Sequence, residues 1–398
     1  MKIAVIGAAG AMARTIILDL LDNPEVEKIL LADYQGEKVK RIAESMSDDR
    51  IEACFVDGYQ VESTAEAISG FDAVINSAQL FPDLFENILD ACLKAGCHYN
   101  DLGGLFWTTR KLLQRFDEFE AANLTAVLCM GSAPGITNVL GRYACDRLDR
   151  VESVHFWDAS VDKTDMQAIE AFLPPYSIRT IMQEFTDNPV MFLDGEYKEL
   201  QPSSGAAEMD FPEPIGRRTC IHTLHSEPAT FVPAFQDKGI QNCTWRLGLP
   251  TEFDEKAQFL SSIGFGSTEP IAVGSVEVVP REVLSSVIEK HVAEKLSNTE
   301  LAVEDVECLR AQVLGTIDEK PIEYIVDCVA KPHSRWGGSC GDLCTGTPPS
   351  ITAQMQAKGI LEKPGVWGPE IIVPELFFDE LAKRELQVTI TKKEILTR

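Results

Sequence analysis

The strongest constraint on this chain lies between Lys2 and Asp33. Lys2-Ile3-Ala4-Val5-Ile6 has the continuous apolar character of a strand buried on both faces. It runs directly into Gly7-Ala8-Ala9-Gly10-Ala11-Met12-Ala13. A helical pattern follows from Arg14 to Leu21, and a second apolar strand, Lys28-Ile29-Leu30-Leu31-Ala32, ends on Asp33. Strand, glycine-rich turn, helix, strand and acid, in that order, predict the first βαβ unit of a dinucleotide-binding fold.

The chemistry explains the residue types. A pyrophosphate must approach backbone N–H groups at a helix start, where the dipole is positive and the first amides lack partners. Gly7 permits the tight turn, Gly10 keeps Cβ atoms away from the phosphates, and Ala13 lets the helix pack closely on the strand. The expected cofactor contacts here are Gly7, Ala9, Gly10, Ala11 and Met12. Asp33 lies slightly beyond the usual interval of about 20 residues. Its carboxylate would accept hydrogen bonds from the adenosine ribose, which favours NAD, with NADP as the alternative. The turn reads G-x-x-G-x-x-A, a looser relative of G-x-G-x-x-G, with Ala9 and Met12 at the second and third glycine positions.

A chain of 398 residues has room for two domains. Its net charge of -26 would repel a phosphate backbone, which argues against nucleic acid and against an anionic membrane surface. No apolar run approaches the roughly 20 residues of a membrane span. The first residues form a strand rather than a basic segment and apolar stretch, so a cytoplasmic location is expected. The 11 cysteines are scattered and read as small buried hydrophobes of a reducing compartment. Cys340 and Cys344 lack the spacing and second ligand pair of a zinc site, so no metal is expected.

Alternation of strands and helices continues through Thr125-Ala126-Val127-Leu128-Cys129-Met130. It predicts a doubly wound parallel sheet of the Rossmann type. Near residue 150 the pattern changes to alternating strands and turn-rich segments, predicting a second α+β domain with a mixed or antiparallel sheet. A helix over Ser350–Lys358, another over Pro374–Arg384 and a strand at Leu386–Ile390 are expected to return to the first domain. The expected division is 1–131 with 346–398 for the nucleotide domain, and 132–345 for substrate binding and dimerisation.

Ligands of open α/β sheets bind at the carboxyl ends of the strands. Candidates there are Ser77 and Ala78, Asp101 with Gly103 and Gly104, and the loop Gly131-Ser-Ala-Pro134-Gly135 leading to Asn138. A carboxylate at Asp101 could hold a substrate ammonium or take a proton; the alternative is a loop aspartate capping a helix. The Gly131 loop could shape a nicotinamide pocket or be a plain strand-to-helix turn. In the second domain, His225-Ser226-Glu227 could supply an acid–base pair, and Arg217-Arg218 could clamp a carboxylate; a structural role is the alternative for both. No G-x-S-x-G elbow, H-E-x-x-H pair or Walker lysine is present.

Several of these stretches together resemble the saccharopine dehydrogenase-like family. They are Val5-Ile-Gly-Ala-Ala-Gly-Ala-Met-Ala-Arg14, Ala91-Cys-Leu-Lys-Ala-Gly-Cys-His-Tyr-Asn-Asp-Leu-Gly-Gly104, Gly131-Ser-Ala-Pro-Gly-Ile-Thr-Asn138 and Gly346-Thr-Pro-Pro-Ser-Ile-Thr-Ala-Gln-Met355. The resemblance implies a two-domain NAD(P)-dependent oxidoreductase acting on a C–N bond of an amino-acid-like substrate, commonly a homodimer. It places Asp101 beside the nicotinamide, with the Gly131–Gly135 loop lining the cleft. The leading expectation is a lysine 6-dehydrogenase type of activity. The runner-up is a reductase forming a secondary amine, as in saccharopine or carboxynorspermidine synthesis. A non-catalytic nicotinamide-binding protein is the third reading.

Overall fold

The computed structural model describes residues 1–103, 105–164, 172–296 and 303–395. Gly104 lies outside them. The first six strands are β1 (Lys2–Ile6), β2 (Lys28–Asp33), β3 (Ile51–Phe55), β4 (Ala73–Asn76), β5 (His98–Asp101) and β6 (Thr125–Val127). With β17 (Gly365–Trp367) they form one seven-stranded sheet in the order β17-β6-β5-β4-β1-β2-β3. Every pairing in it is parallel. Side chains alternate between two apolar layers. Ile3 and Val5 join one core with Ile16, Ile17 and Leu20. Ala4 and Ile6 join the other with Ile88, Leu89 and Tyr99. Burial on both faces is why Ile3–Ile6 and Ile29–Ala32 are apolar throughout.

The intervening strands are β7 (Arg150–Asp162), β8 (Val190–Leu193), β9 (Glu196–Glu199), β10 (Ala207–Asp210), β11 (Arg217–Cys220), β12 (Asn242–Gly248), β13 (Ile271–Val273), β14 (Val276–Val278), β15 (Asp305–Ile317) and β16 (Lys320–Ala330). A second seven-stranded sheet has the order β18-β16-β15-β7-β12-β8-β9, where β18 is Gln387–Glu394. Only β7 and β12 pair in parallel, so this sheet is mixed.

The C-terminal segment joins the two sheets. Its helix runs over Cys340–Ala357, ten residues longer at its start than the sequence pattern suggested. Ser339 caps it by accepting from the Asp342 amide at 3.0 Å, and Asp342 accepts in return from the Ser339 amide at 2.9 Å. Pro348 and Pro349 lie inside the helix rather than at its beginning. Gly346 lets it approach the helix Ala13–Asp22, since a Cβ there would stand 2.6 Å from Thr15 Cβ. Gln356 Nε2 donates to the carbonyls of Tyr99 and Thr125 at 2.9 and 3.1 Å, tying the helix to β5 and β6.

The closing strand departs from the expected return to the first domain. β18 pairs antiparallel with β16, from Val329↔Gln387 to Ile322↔Glu394. The outer edge of β16 has open backbone groups, and β18 satisfies them. Among the described residues, no helix is long and apolar enough to cross a membrane.

Candidate active site

The nucleotide turn is held by its own backbone. Gly7 has φ +85°, and a Cβ there would lie 2.5 Å from the Ala78 nitrogen, so only glycine fits. The Gly7 and Ala8 amides donate to the Ala32 carbonyl at 2.9 and 3.2 Å, and the Gly10 amide donates to the Gly7 carbonyl at 2.9 Å. The Ala9 amide donates to Asp33 Oδ2 at 3.1 Å, and Gln35 donates to Oδ1 at 2.8 Å. Asp33 is therefore a brace for the turn as well as the acid at the end of β2. Gly10 and Ala11 are exposed, and no described residue accepts from the Ala11 and Met12 amides that open the helix Ala13–Asp22. Unpartnered amides on an exposed helix N-terminus suit a pyrophosphate.

At the end of β4, Ser77 donates through its amide and hydroxyl to the Ile6 carbonyl at 2.8 and 3.0 Å. The Ala78 amide donates to Asn76 Oδ1 at 3.1 Å. These contacts lay the Ser77–Ala78 backbone across Gly7. Asn76 Nδ2 donates to the Tyr99 hydroxyl at 3.0 Å, and that hydroxyl donates to Asp101 Oδ2 at 2.9 Å. Asp101 Oδ1 accepts from the Gly103 and Cys129 amides at 2.8 and 2.7 Å. Asp101 is only 1% exposed. Burial pushes its carboxyl up to about 6, against the stabilising bonds from Cys129, Tyr99 and Gly103. Its carboxyl pins the loop after β5 to the loop after β6.

Cys129 carries that link into the second domain. It holds φ +65°, and its Sγ lies 3.3 Å from Thr109 Oγ1 and 3.5 Å from Ser226 Oγ. The neighbours of Ser226 are the predicted acid–base pair. His225 Nδ1 stands 3.4 Å from Glu227 Oε1, and Nε2 stands 3.4 Å from Glu184 Oε1. The imidazole stacks on Trp245 with ring centroids 4.0 Å apart. Burial works against its positive charge, but the Glu227 and Glu184 carboxylates outweigh it, and the imidazolium pKa is pushed up to about 10. Tyr176 donates its hydroxyl to Glu184 Oε2 at 2.5 Å.

The loop after β6 is equally constrained. A Cβ on Gly135 would fall 2.1 Å from the Gly131 carbonyl oxygen, and the Gly131 amide donates to the Pro134 carbonyl at 2.8 Å. Asn138 accepts from the Gly135 amide at 3.3 Å and donates to Glu370 Oε1 at 2.6 Å. Burial, partly offset by Asn138 and Thr230, pushes the Glu370 carboxyl up to about 7. Ser132 on this loop donates to Glu307 Oε1 at 3.4 Å, which brings the loop against β15.

Other sequence candidates lie apart. Arg217 is exposed on the β10–β11 hairpin, where it faces Glu208 and Asp210 at 3.4 and 3.5 Å. Arg218 donates to the Leu249 carbonyl. Cys340 and Cys344 are buried in their helix, and burial pushes both thiols up. Sequence reasoning missed Glu184, Tyr176, Asp158 and Glu307. The last two had a readable signal: each is an acid at a core-facing step of an apolar strand alternation, Val154-Phe156-Asp158 and Glu307-Leu309-Ala311.

Residues 3–127 match the saccharopine dehydrogenase NADP binding domain, and residues 131–386 match the saccharopine dehydrogenase C-terminal domain. The chain belongs to the saccharopine dehydrogenase family. It is 23% identical to carboxyaminopropylagmatine dehydrogenase of Synechocystis sp., covering 97% of this chain and 96% of that one. It is also 23% identical to carboxynorspermidine synthase of Vibrio alginolyticus, over 96% of this chain and 94% of the relative. Saccharopine dehydrogenase (L-Glu forming) from Saccharomyces cerevisiae shares the fold. The TM-score is 0.71 at 14% identity, covering 99% of this chain and 100% of that one. As a saccharopine dehydrogenase family member, the protein is an NAD(P)-dependent oxidoreductase. The unpartnered Ala11 and Met12 amides fit the cofactor's pyrophosphate.

Proposed function

We propose that this family member makes or breaks a secondary amine between a cationic amine and an amino-acid-like carbon chain. One observation carries the reading. His225 is clamped between two buried carboxylates, Glu184 and Glu227, while Ser226 between them touches the Cys129 loop that Asp101 fixes. This sets a proton-holding triad against the carboxyl ends of β5 and β6, where the nicotinamide end of a cofactor would reach.

NAD(P), when bound, supplies or accepts the hydride. The chain's residues handle binding and protons. His225 holds its proton between Glu227 Oε1 and Glu184 Oε1, so the triad can release one proton to a substrate nitrogen or take one back. Asp101 acts as a positioning residue, because Tyr99, Gly103 and Cys129 already donate to its carboxyl. The Gly131–Gly135 loop, with Pro134 in its turn, walls the cleft. The surplus of buried carboxylates over basic groups around the triad favours an amine carrying more than one positive charge. That surplus, with the names of the two curated relatives, favours secondary-amine formation over the lysine 6-dehydrogenase type. A homodimer is part of the same proposal, and sedimentation velocity tests it. A cytoplasmic location belongs to the same proposal.

The decisive experiment mixes purified protein and NADH or NADPH with paired amines and amino-acid aldehydes, following nicotinamide absorbance. Consumption that needs both carbonyl and amine is expected. Reduction of NAD by lysine alone, with release of ammonia, would return the assignment to lysine 6-dehydrogenase. Inactivity with every amine, singly or paired, would favour the non-catalytic reading.

A further inference from the structure

Asp158 on β7 and Glu307 on β15 form a second buried acidic feature. In the register of these strands Asp158 pairs with Leu309, so Glu307, two residues away, is its diagonal neighbour on the same face. Burial pushes both carboxyls up, and the charge of Glu307 pushes Asp158 up further. Asp158 is 9% exposed and Glu307 is 7% exposed. Asp158 Oδ1 and Glu307 Oε2 are both buried without a hydrogen-bond donor. Neighbouring acceptors in a dry site are unfavourable unless a proton or a cation satisfies them. Glu227 Oε2 is a third buried oxygen without a donor. Ser132, on the loop after β6, donates to Glu307 and holds that loop against the pair. Among the described residues, no group of three or more His, Cys, Asp or Glu side chains could hold a metal ion.

We propose that Asp158 and Glu307 are a specificity-determining pair that receives the distal primary ammonium of a diamine substrate. An ammonium group brings three donors and a positive charge, matching two orphaned carboxylate oxygens and their charge. The proposal rests on the secondary-amine reading above. It adds the direction in which the amine lies: its reacting nitrogen toward the His225 triad and its far nitrogen on the β7–β15 face.

Binding tests this independently of turnover. Wild-type protein loaded with NAD(P)H would be heated with 1,3-diaminopropane or with propylamine at matched ionic strength. The diamine should raise the melting temperature and the monoamine should not. In Asp158→Asn the amide can donate to the orphaned Glu307 oxygen, so the fold is kept while the ammonium site is filled; Glu307→Gln is the mirror variant. Both should abolish the diamine-induced shift. In turnover with an aldehyde partner, both should raise KM for the diamine about tenfold or more, leaving KM for propylamine within about twofold. Equal diamine shifts in wild type and variants, or no diamine shift in wild type, would overturn the proposal and reduce the pair to carboxyls sharing a proton. A diamine shift in wild type without turnover on any amine–aldehyde pair would instead overturn the functional reading and leave the subsite standing.

Discussion

Tyr99 donates its hydroxyl hydrogen to Asp101 Oδ2 at 2.9 Å, a buried bond between residues two apart on the same strand. The bond closes a chain from Asn76 through Tyr99 to Asp101, and from there to the Cys129 and Gly103 amides. Asp101→Ala would leave those amides and the Tyr99 hydroxyl without an acceptor in a dry site. A loss of about 2 kcal/mol or more in urea unfolding is expected. Turnover should fall further than cofactor affinity. Wild-type turnover in this variant would remove Asp101 from the site.

Asp33 makes a separate prediction for the cofactor. Its carboxylate braces Ala9 and Gln35 and remains at the end of β2, where a ribose would lie. NAD should bind more tightly than NADP, because a 2′-phosphate would be repelled. Asp33→Asn should weaken NAD roughly tenfold and narrow the preference. Fluorescence titration of both nucleotides checks it; tighter binding of NADP by the wild type would contradict the assignment.

The His225 triad predicts a pH dependence. The imidazolium pKa is raised from the ordinary 6.5 to about 10 by Glu227 and Glu184, against the opposing effect of burial. The folded state thus holds a proton that the unfolded chain releases near 6.5. Its stabilisation is complete below about 6.5, declines as pH rises, and is lost on passing about 10. Denaturation midpoints measured from pH 6 to pH 10 should fall, and His225→Asn should flatten the fall. An equal slope in the variant would show that another group titrates.

Arg384 donates to both oxygens of Asp19, joining the helix Pro374–Lys383 region to the first helix of the nucleotide domain. Arg384 is 8% and Asp19 2% exposed, so removing the cation strands a buried carboxylate. Arg384→Ala should cost about 3–5 kcal/mol of stability. Calorimetric unfolding would show it, and a change under 1 kcal/mol would mean that the ion pair is dispensable.

The parallel sheet and its nucleotide turn were legible because their determinants are local. Gly7, Gly10 and Asp33 act through backbone conformation and strand ends that lie within one βαβ unit. Adjacency in sequence also misled. Arg217 and Arg218 look like a cluster, but consecutive residues of a strand point to opposite faces, and the hairpin carries Arg217 to the surface.

The chain by itself therefore determined that a dinucleotide fold begins at residue 2, which loops reach its carboxyl edge, and that a mixed second domain follows. Only the tertiary structure decided that Glu184 joins Glu227 beside His225, that Asp158 and Glu307 are diagonal neighbours on one face and that β18 completes the second sheet. Apart from His225 with Glu227, these contacts join residues far apart in sequence. Periodicity records which face of an element is apolar; it does not record which distant acid will share that face.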